Sequence, residues 1–163
     1  DVPQAPAGTP PQQAVHTLTT RFTTRNLVDL YGKPDCDPFT DYYCADAKLV
    51  EKQGLSLIMA GAHCHSPACL GVQLINADTG NLICEIKPQQ GAGDEPLNER
   101  GYLWLPPCQW GHPGDGLPVP PFLTIDTNLT SIKRVNSTYG HTGVMAIWQA
   151  RGAYGNVAAA MHV

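Results

Sequence analysis

Short apolar or alternating segments, separated by turn residues, restrict this chain to an all-β fold. Residues 14 to 23 alternate between an apolar face and a threonine-rich face, as in a strand with one buried side. The other strand candidates are residues 55 to 65, 70 to 75, 82 to 86, 102 to 105, 123 to 125, 131 to 135 and 144 to 149. No segment has the apolar period of an amphipathic helix. We therefore predict an antiparallel β-sandwich of jelly-roll-like type.

Proline and glycine mark the boundaries of this domain. Residues 1 to 13 carry four prolines and should form an extended tail, because they cannot bury a core. Residues 14 to 155 form the predicted disulfide-stabilised domain, and residues 156 to 163 a C-terminal extension. Residues 106 to 122 hold six prolines and three glycines, which predicts a long loop without regular structure.

Six cysteines, an even number, predict three disulfides and an oxidising compartment. Several pairings are possible, and a β-meander favours near neighbours: Cys36 with Cys44, Cys64 with Cys69, and Cys84 with Cys108. Two glycosylation sequons begin at Asn128 and Asn136. Together these features predict a secreted, extracellular glycoprotein.

Composition and motifs exclude several classes of function. The net charge is −4, and the sequence contains no stripe of basic residues, so we expect no nucleic-acid binding. No apolar run approaches the roughly 20 residues that span a bilayer. Ser66 and Ser137 lack the setting of a catalytic serine, and no catalytic residue is predicted.

The His63-x-His65 pair is the strongest functional signal in the sequence. It follows the apolar run 55 to 60, so it should lie at the end of a strand. Residues two apart on a strand share a face at a separation of about 7 Å, which lets two imidazoles turn onto one ion. Imidazole is the commonest protein ligand for zinc and copper. The pair therefore predicts a metal site.

Two other metals compete with copper in this sequence. Zinc bound by Cys64, Cys69 and the histidines is disfavoured, since Cys64 lies between the histidines and should face away from them. Calcium would suit the carboxylates near the first cysteines, but their spacing is not that of an EF-hand loop. A solvated acidic loop is the favoured interpretation for these residues, which are Asp35, Asp37 and Asp41.

Three segments, taken in order, resemble a known copper domain: His63-x-His65, residues 74 to 84 and residues 139 to 148. They are similar to the C-terminal domain of copper type II, ascorbate-dependent monooxygenases, the peptidylglycine α-hydroxylating and dopamine β-monooxygenase relatives. Residues 98 to 102 and 141 to 145 also resemble the plant stress-up-regulated nodulin-type secreted proteins. The resemblance spans about residues 50 to 150. It implies a β-sandwich in which His63, His65 and Met145 bind copper, with His141 adjacent.

The resemblance to the monooxygenases is incomplete. Those enzymes use a second copper domain with its own histidine cluster, and His16 stands alone before residue 50. We therefore expect a copper-binding protein with a structural or self-assembly role in an extracellular surface, fibre or matrix. A single-copper oxidase or oxygen-activating enzyme is the alternative, and a copper carrier is a further one.

Two kinds of partner follow from the sequence. The proline-rich leader and the strand at residues 14 to 24 suit self-association, because a detached strand can complete the sheet of a neighbouring subunit. Glycan binding is also open, because exposed aromatic rings stack on sugars. The candidate rings belong to Tyr102, Trp104, Trp110 and Trp148. Trp148 is expected in the core, which makes Trp110 in the proline-rich stretch the best of them.

Overall fold

The computed structural model describes residues 1–29, 47–65, 68–94, 96 and 99–160. Its strands are β1 (Val15–Thr23), β2 (Leu55–His63), β3 (Cys69–Asn76), β4 (Leu82–Ile86), β5 (Gln89–Gln90), β6 (Leu103–Trp104), β7 (Cys108–Gln109), β8 (Phe122–Leu123), β9 (Asn128–Asn136) and β10 (Ile147–Tyr154). Its helices are α1 (Thr24–Asp29), α2 (Ala47–Gln53), α3 (Val157–Ala160) and a 3-10 turn at Pro113–Asp115. The predicted all-β fold is confirmed.

Two antiparallel sheets form the body of the domain. The first has the strand order β1-β9-β3-β4, and the second has the order β10-β2-β7, with β8 also paired to β2. Strands β5 and β6 form a separate two-stranded ribbon. A tight turn at residues 76 to 81 joins two of the predicted strands as the hairpin of β3 and β4.

The core lies between the two sheets and follows the strand alternation. Along β9 every second residue is buried, namely Leu129, Ser131, Lys133 and Val135. Trp148 reaches across from β10, and its Nε1 donates a hydrogen bond to Ser131 Oγ at 2.8 Å. This bond satisfies two buried polar groups and ties one sheet to the other.

Two of the predicted disulfides are confirmed. Cys64 and Cys69 join the end of β2 to the start of β3, and their Cα atoms are 6.0 Å apart. Cys84 and Cys108 join β4 to β7, and therefore one sheet to the other, with Cα atoms 5.9 Å apart. The third predicted pair, Cys36 with Cys44, and the acidic residues Asp35, Asp37 and Asp41 lie outside the described residues.

The proline-rich stretch at residues 106 to 122 is not a structureless loop, and that prediction was wrong. Strand β7 pairs with β2 there, and the Trp110 N–H donates to the Ile58 carbonyl at 2.9 Å. Between Pro107 and Pro113 every residue keeps its backbone N–H, so this short segment can still join a sheet. The Cys84–Cys108 disulfide fixes it against β4.

Short helices cover one end of the sandwich and were not predicted. The buried side chains of Val28 on α1, Val50 on α2 and Ile125 form a small second cluster. Helices of six or seven residues are too short to show a periodic pattern in the sequence. In the described part of the chain, no helix has both the length and the apolar character that crossing a bilayer requires.

Strand β1 pairs along its whole length with β9 of the same chain, from Val15 opposite Asn136 to Thr23 opposite Asn128. It is an edge strand, because β9 is its neighbour on one side and the sheet ends on the other. The segment predicted as a possible donor strand thus completes the sheet of its own domain here.

Candidate functional site

The two histidines of the His63-x-His65 pair lie side by side at the end of β2. His63 is the last residue of β2 and His65 follows it by two positions, with both side chains exposed and Cys64 between them buried. Their ring centroids are 5.0 Å apart, and the ring planes are nearly perpendicular at 88°. The alternation of the strand thus places both imidazoles on the solvent side while Cys64 enters its disulfide.

The backbone at His65 is held by the turn that the Cys64–Cys69 disulfide closes. The Cys69 N–H donates to the His65 carbonyl at 3.2 Å, which adds a hydrogen bond to the covalent link. On the other side of the pair, His63 lies opposite Ile147 in the β2–β10 ladder. The histidine pair is therefore positioned by both sheets and by a disulfide.

The separation of the two rings fits a shared metal ion. With a metal–nitrogen bond of about 2.0 Å, roughly 1.2 Å from nitrogen to ring centre and an angle of about 100°, the two centroids lie ~5 Å apart. The observed 5.0 Å is compatible with this value, and with the 88° interplanar angle it is also the geometry of a T-shaped contact between the two rings. Among the described residues, no group of three or more His, Cys, Asp or Glu side chains is close enough to hold an ion.

Met145 lies at the same end of the domain. Strand β10 begins at Ile147 opposite His63, and Met145 lies two residues before that strand, outside its paired register. Its side chain is 43% exposed, and its carbonyl accepts a hydrogen bond from Lys133 Nζ. Gly143 precedes it with φ +65°, a left-handed conformation that glycine adopts at no steric cost, and this supplies the bend between His141 and Met145.

His141 is held in a defined tautomer by its neighbours. Its Nε2 is 2.9 Å from the Asn136 carbonyl. A carbonyl can only accept, so Nε2 carries the hydrogen and Nδ1 of the neutral ring keeps its lone pair. Such a bond through the second nitrogen is how proteins orient histidines that ligate metals.

The N-terminal residues support the loop that carries His141. Val2 and His141 exchange two backbone hydrogen bonds, at 2.8 and 2.9 Å, and Val2 is only 2% exposed. Asp1 Oδ1 accepts from the Gly143 N–H at 3.2 Å. The start of the predicted tail is thus packed against this site, which nothing in its composition indicated.

A cleft of about 180 Å³ opens beside the histidine pair. It is lined by His65, Ala68, Lys133, Val135, His141, Thr142 and Val144. The cleft lies where the end of β2, the loop before β10 and the inner face of β9 meet. His65 and His141 therefore share one cavity, although His63 does not line it.

Lys133 is the functional candidate that sequence reasoning missed. It is 1% exposed, and it lies on the inward face of β9 between Ser131 and Val135. Burial lowers the pKa of its ammonium group. The missed signal was the alternation Leu129-x-Ser131-x-Lys133-x-Val135, which already assigned the lysine to the buried face.

The two glycosylation sequons have different surroundings. Asn128 is exposed, and its Nδ2 donates to Asp78 Oδ1 at 2.7 Å. Asn136 is half-buried, and its Oδ1 accepts from the Thr138 N–H at 2.9 Å. The Nδ2 of Asn128 is the atom that would carry a glycan, so a glycan there would replace part of the contact with Asp78. Glycosylation at both positions stays a prediction.

The aromatic residues separate into buried and exposed groups. Trp148 is in the core as expected, and Trp110 is also buried, at 7% exposed, so its selection as the best sugar contact was wrong. Trp110 enters the core because β7 joins the sheet just before it. Trp104, in the predicted strand at residues 102 to 105, is 47% exposed, and Tyr102 is exposed near it. Of the four candidate rings, those of Tyr102 and Trp104 are therefore the ones exposed to a glycan.

Comparison with known proteins identifies the family of this chain. The family model described as stress up-regulated Nod 19 matches residues 31–151, which is more than two thirds of the 163 residues. The matched region includes His63, His65, His141 and Met145, together with every strand from β2 to β9. No curated protein and no solved structure gave a match to the chain. The chain belongs to the stress up-regulated Nod 19 family.

Proposed function

We propose that this protein is a secreted copper-binding β-sandwich protein in which His63, His65 and Met145 hold the metal. The observation that carries the proposal is the 5.0 Å separation of two exposed imidazoles at the end of β2. Imidazole with thioether is a donor set that suits copper, because a thioether is a soft ligand. The sequence resemblance to the copper monooxygenase domain supports the same three ligands.

Secretion is part of this proposal. Two disulfides, both of which link one sheet to the other, are compatible with an oxidising compartment. The sequon at Asn128 lies on an exposed strand end, where a glycan would have room. Family membership adds that the protein belongs with those described as up-regulated in stress.

Copper in this position would connect the end of β2 to the segment before β10 and would supply one-electron redox chemistry. The protein's own contribution is to fix the donors. The Cys64–Cys69 turn holds the backbone of His65, and Lys133 Nζ holds the carbonyl of Met145. His141, with its Nδ1 lone pair free, lies across the cleft as a fourth donor that a small loop movement would bring in.

Copper(I) affinity, measured by competition with a chromogenic chelator, tests the metal site. We expect one copper per chain in the wild type and at least a tenfold weaker affinity in His63→Ala and in His65→Ala. Met145→Leu should weaken copper(I) more than copper(II), because the thioether prefers the softer ion. His112→Ala, a histidine that precedes the 3-10 turn and does not line the cleft, is the matched control. Unchanged affinity in both site variants would exclude this ligand set.

We also propose a self-assembly role for the N-terminal segment. Strand β1 is an edge strand joined to the domain body by its pairing with β9, so it can be exchanged with a second copy without loss of contacts. Light scattering across a concentration series of the full chain tests this. A cysteine pair at Thr19 and Ile132, which face each other in the register, then distinguishes the arrangements. Exchange links two chains, whereas self-pairing links one, and exclusively intrachain links would contradict the proposal.

The cleft beside His65 favours one second candidate, a single-copper oxygen-activating enzyme. A cavity next to a copper with three protein ligands would leave a coordination position accessible to a small molecule. Oxygen uptake with ascorbate, compared between copper-loaded wild type and His63→Ala, separates the two functions. Equal rates would remove the enzymatic candidate and leave the binding role.

A further inference from the structure

The cleft at the end of the sandwich has a charged floor and apolar walls. The floor is Lys133, which is 1% exposed, and the walls include Ala68, Val135 and Val144. His141 and Thr142 add polar groups near the rim. A cavity with this mixture favours a ligand that is itself part charged and part apolar.

The ammonium of Lys133 is short of partners. Its Nζ donates to the Met145 carbonyl, and no second acceptor is found for it among the described residues. Within the same part of the chain, no Asp or Glu lines the cleft or pairs with Lys133. An ammonium has three hydrogens, and a buried one is stable when an anion accompanies it. An anionic ligand in the cleft would supply such a partner for Lys133.

The volume of the cleft limits the size of the anion that it can hold. Its volume of about 180 Å³ is near that of an engineered cavity of about 150 Å³ that binds benzene. Inorganic phosphate would leave the valine and alanine walls without contacts, whereas an organic acid would cover them. The single positive charge of the Lys133 ammonium is neutralised by one carboxylate, which favours a monocarboxylic acid.

We propose that this cleft is a binding site for a small monocarboxylic acid of about the size of one six-membered ring. The carboxylate accepts a hydrogen bond from Lys133 Nζ, and the hydrocarbon part packs on Val135 and Val144. The Nδ1 of His141 has no hydrogen to donate in the neutral ring, so Lys133 is the determinant of affinity. His65 lines the cleft and is also a proposed copper ligand, so the site is tested on metal-free protein.

Calorimetric titration of metal-free protein with benzoate tests this site, with benzamide as the neutral analogue of the same shape and phosphate as the inorganic anion. We expect saturable binding of benzoate with a stoichiometry of one and no measurable binding of benzamide or phosphate. Lys133→Met should weaken benzoate binding at least tenfold, because a hydrogen bond to a charged group is lost. Lys87→Met, at an exposed lysine outside the cleft, should bind as the wild type does.

A second variant protects the test against a folding defect in Lys133→Met. Val144→Phe fills the cleft from the rim and leaves Lys133 in place, and it should also abolish benzoate binding. The proposal is overturned if benzamide binds as tightly as benzoate, if phosphate binds more tightly, or if both cleft variants bind benzoate normally. Because no copper is present in these titrations, their outcome is separate from that of the copper measurements.

Discussion

The two described disulfides should contribute different amounts to the free energy of unfolding, because they close loops of different length. Cys84–Cys108 closes a loop with a sequence separation of 24, and Cys64–Cys69 closes one of 5. Loop-closure entropy assigns about 3.4 kcal/mol to the first and about 2 kcal/mol to the second. Cys64, Cys69 and Cys84 are buried and Cys108 is half-buried, so the loss of sulfur packing on replacement by alanine is no larger for Cys84–Cys108 than for Cys64–Cys69.

We expect the two double variants to rank in opposite order in two measurements, the free energy of unfolding and the copper affinity. Replacing Cys84 and Cys108 with alanine should lower the free energy of unfolding by about 1.4 kcal/mol more than replacing Cys64 and Cys69 does. The second replacement should instead loosen the backbone at His65, because the disulfide closes the turn that contains it. Copper affinity should fall in that variant and stay near the wild-type value in the other.

Urea unfolding followed by tryptophan fluorescence gives the free energies, since Trp110 and Trp148 are both in the core. The slope of each transition must stay close to that of the wild type for the comparison to hold. If loss of Cys64–Cys69 costs as much stability as loss of Cys84–Cys108, loop closure does not govern the contribution of these bonds.

Three further predictions use the same unfolding assay. Ser131→Ala leaves Trp148 Nε1 buried without an acceptor and should cost about 1–3 kcal/mol; a neutral effect would show that water replaces the hydroxyl. Hydrogen bonds from the Asn128 side chain and backbone lower the pKa of Asp78 below its ordinary 3.8. The stability from this contact is therefore present above pH 3.8 and is lost as pH falls through the lower folded-state pKa, so wild type and Asp78→Asn should converge in acid. Burial lowers the pKa of Lys133, so the charged form destabilises the fold at neutral pH and the cost declines as pH rises toward 10.5. Lys133→Met should therefore stabilise the protein most at neutral pH, and an advantage that grows with pH would contradict the sign.

Local sequence patterns were sufficient to predict the features in which residues close in the sequence are also close in space. The hairpin of β3 and β4 follows from a turn signal between two apolar runs, and the Cys64–Cys69 link follows from close spacing. The shared face of His63 and His65 follows from strand alternation alone. Each of these depends on a few consecutive residues and on backbone geometry that is the same in every strand.

Long-range packing produced the features that the sequence did not reveal. Trp110 is buried because the short strand β7 joins β2, and a two-residue strand carries no periodic signal. Val2 is buried because the loop at His141 lies beside it, although the two are far apart in the chain. Residues 1 to 13 are polar and rich in proline, and this composition does not indicate that Val2 contacts the loop at His141.

The amino-acid sequence by itself determined the all-β class, the hairpin, the sulfur links and a pair of same-facing imidazoles, because these follow from local periodicity and spacing. Only the tertiary structure decided that Lys133 lines a cleft with His65 and His141, and that its ammonium meets the carbonyl of Met145. The physical reason is that these residues come from different strands and loops, and strand pairing between distant segments sets their distances. The sequence specifies the chemistry of each side chain, whereas the pairing register of the strands determines which side chains lie next to it.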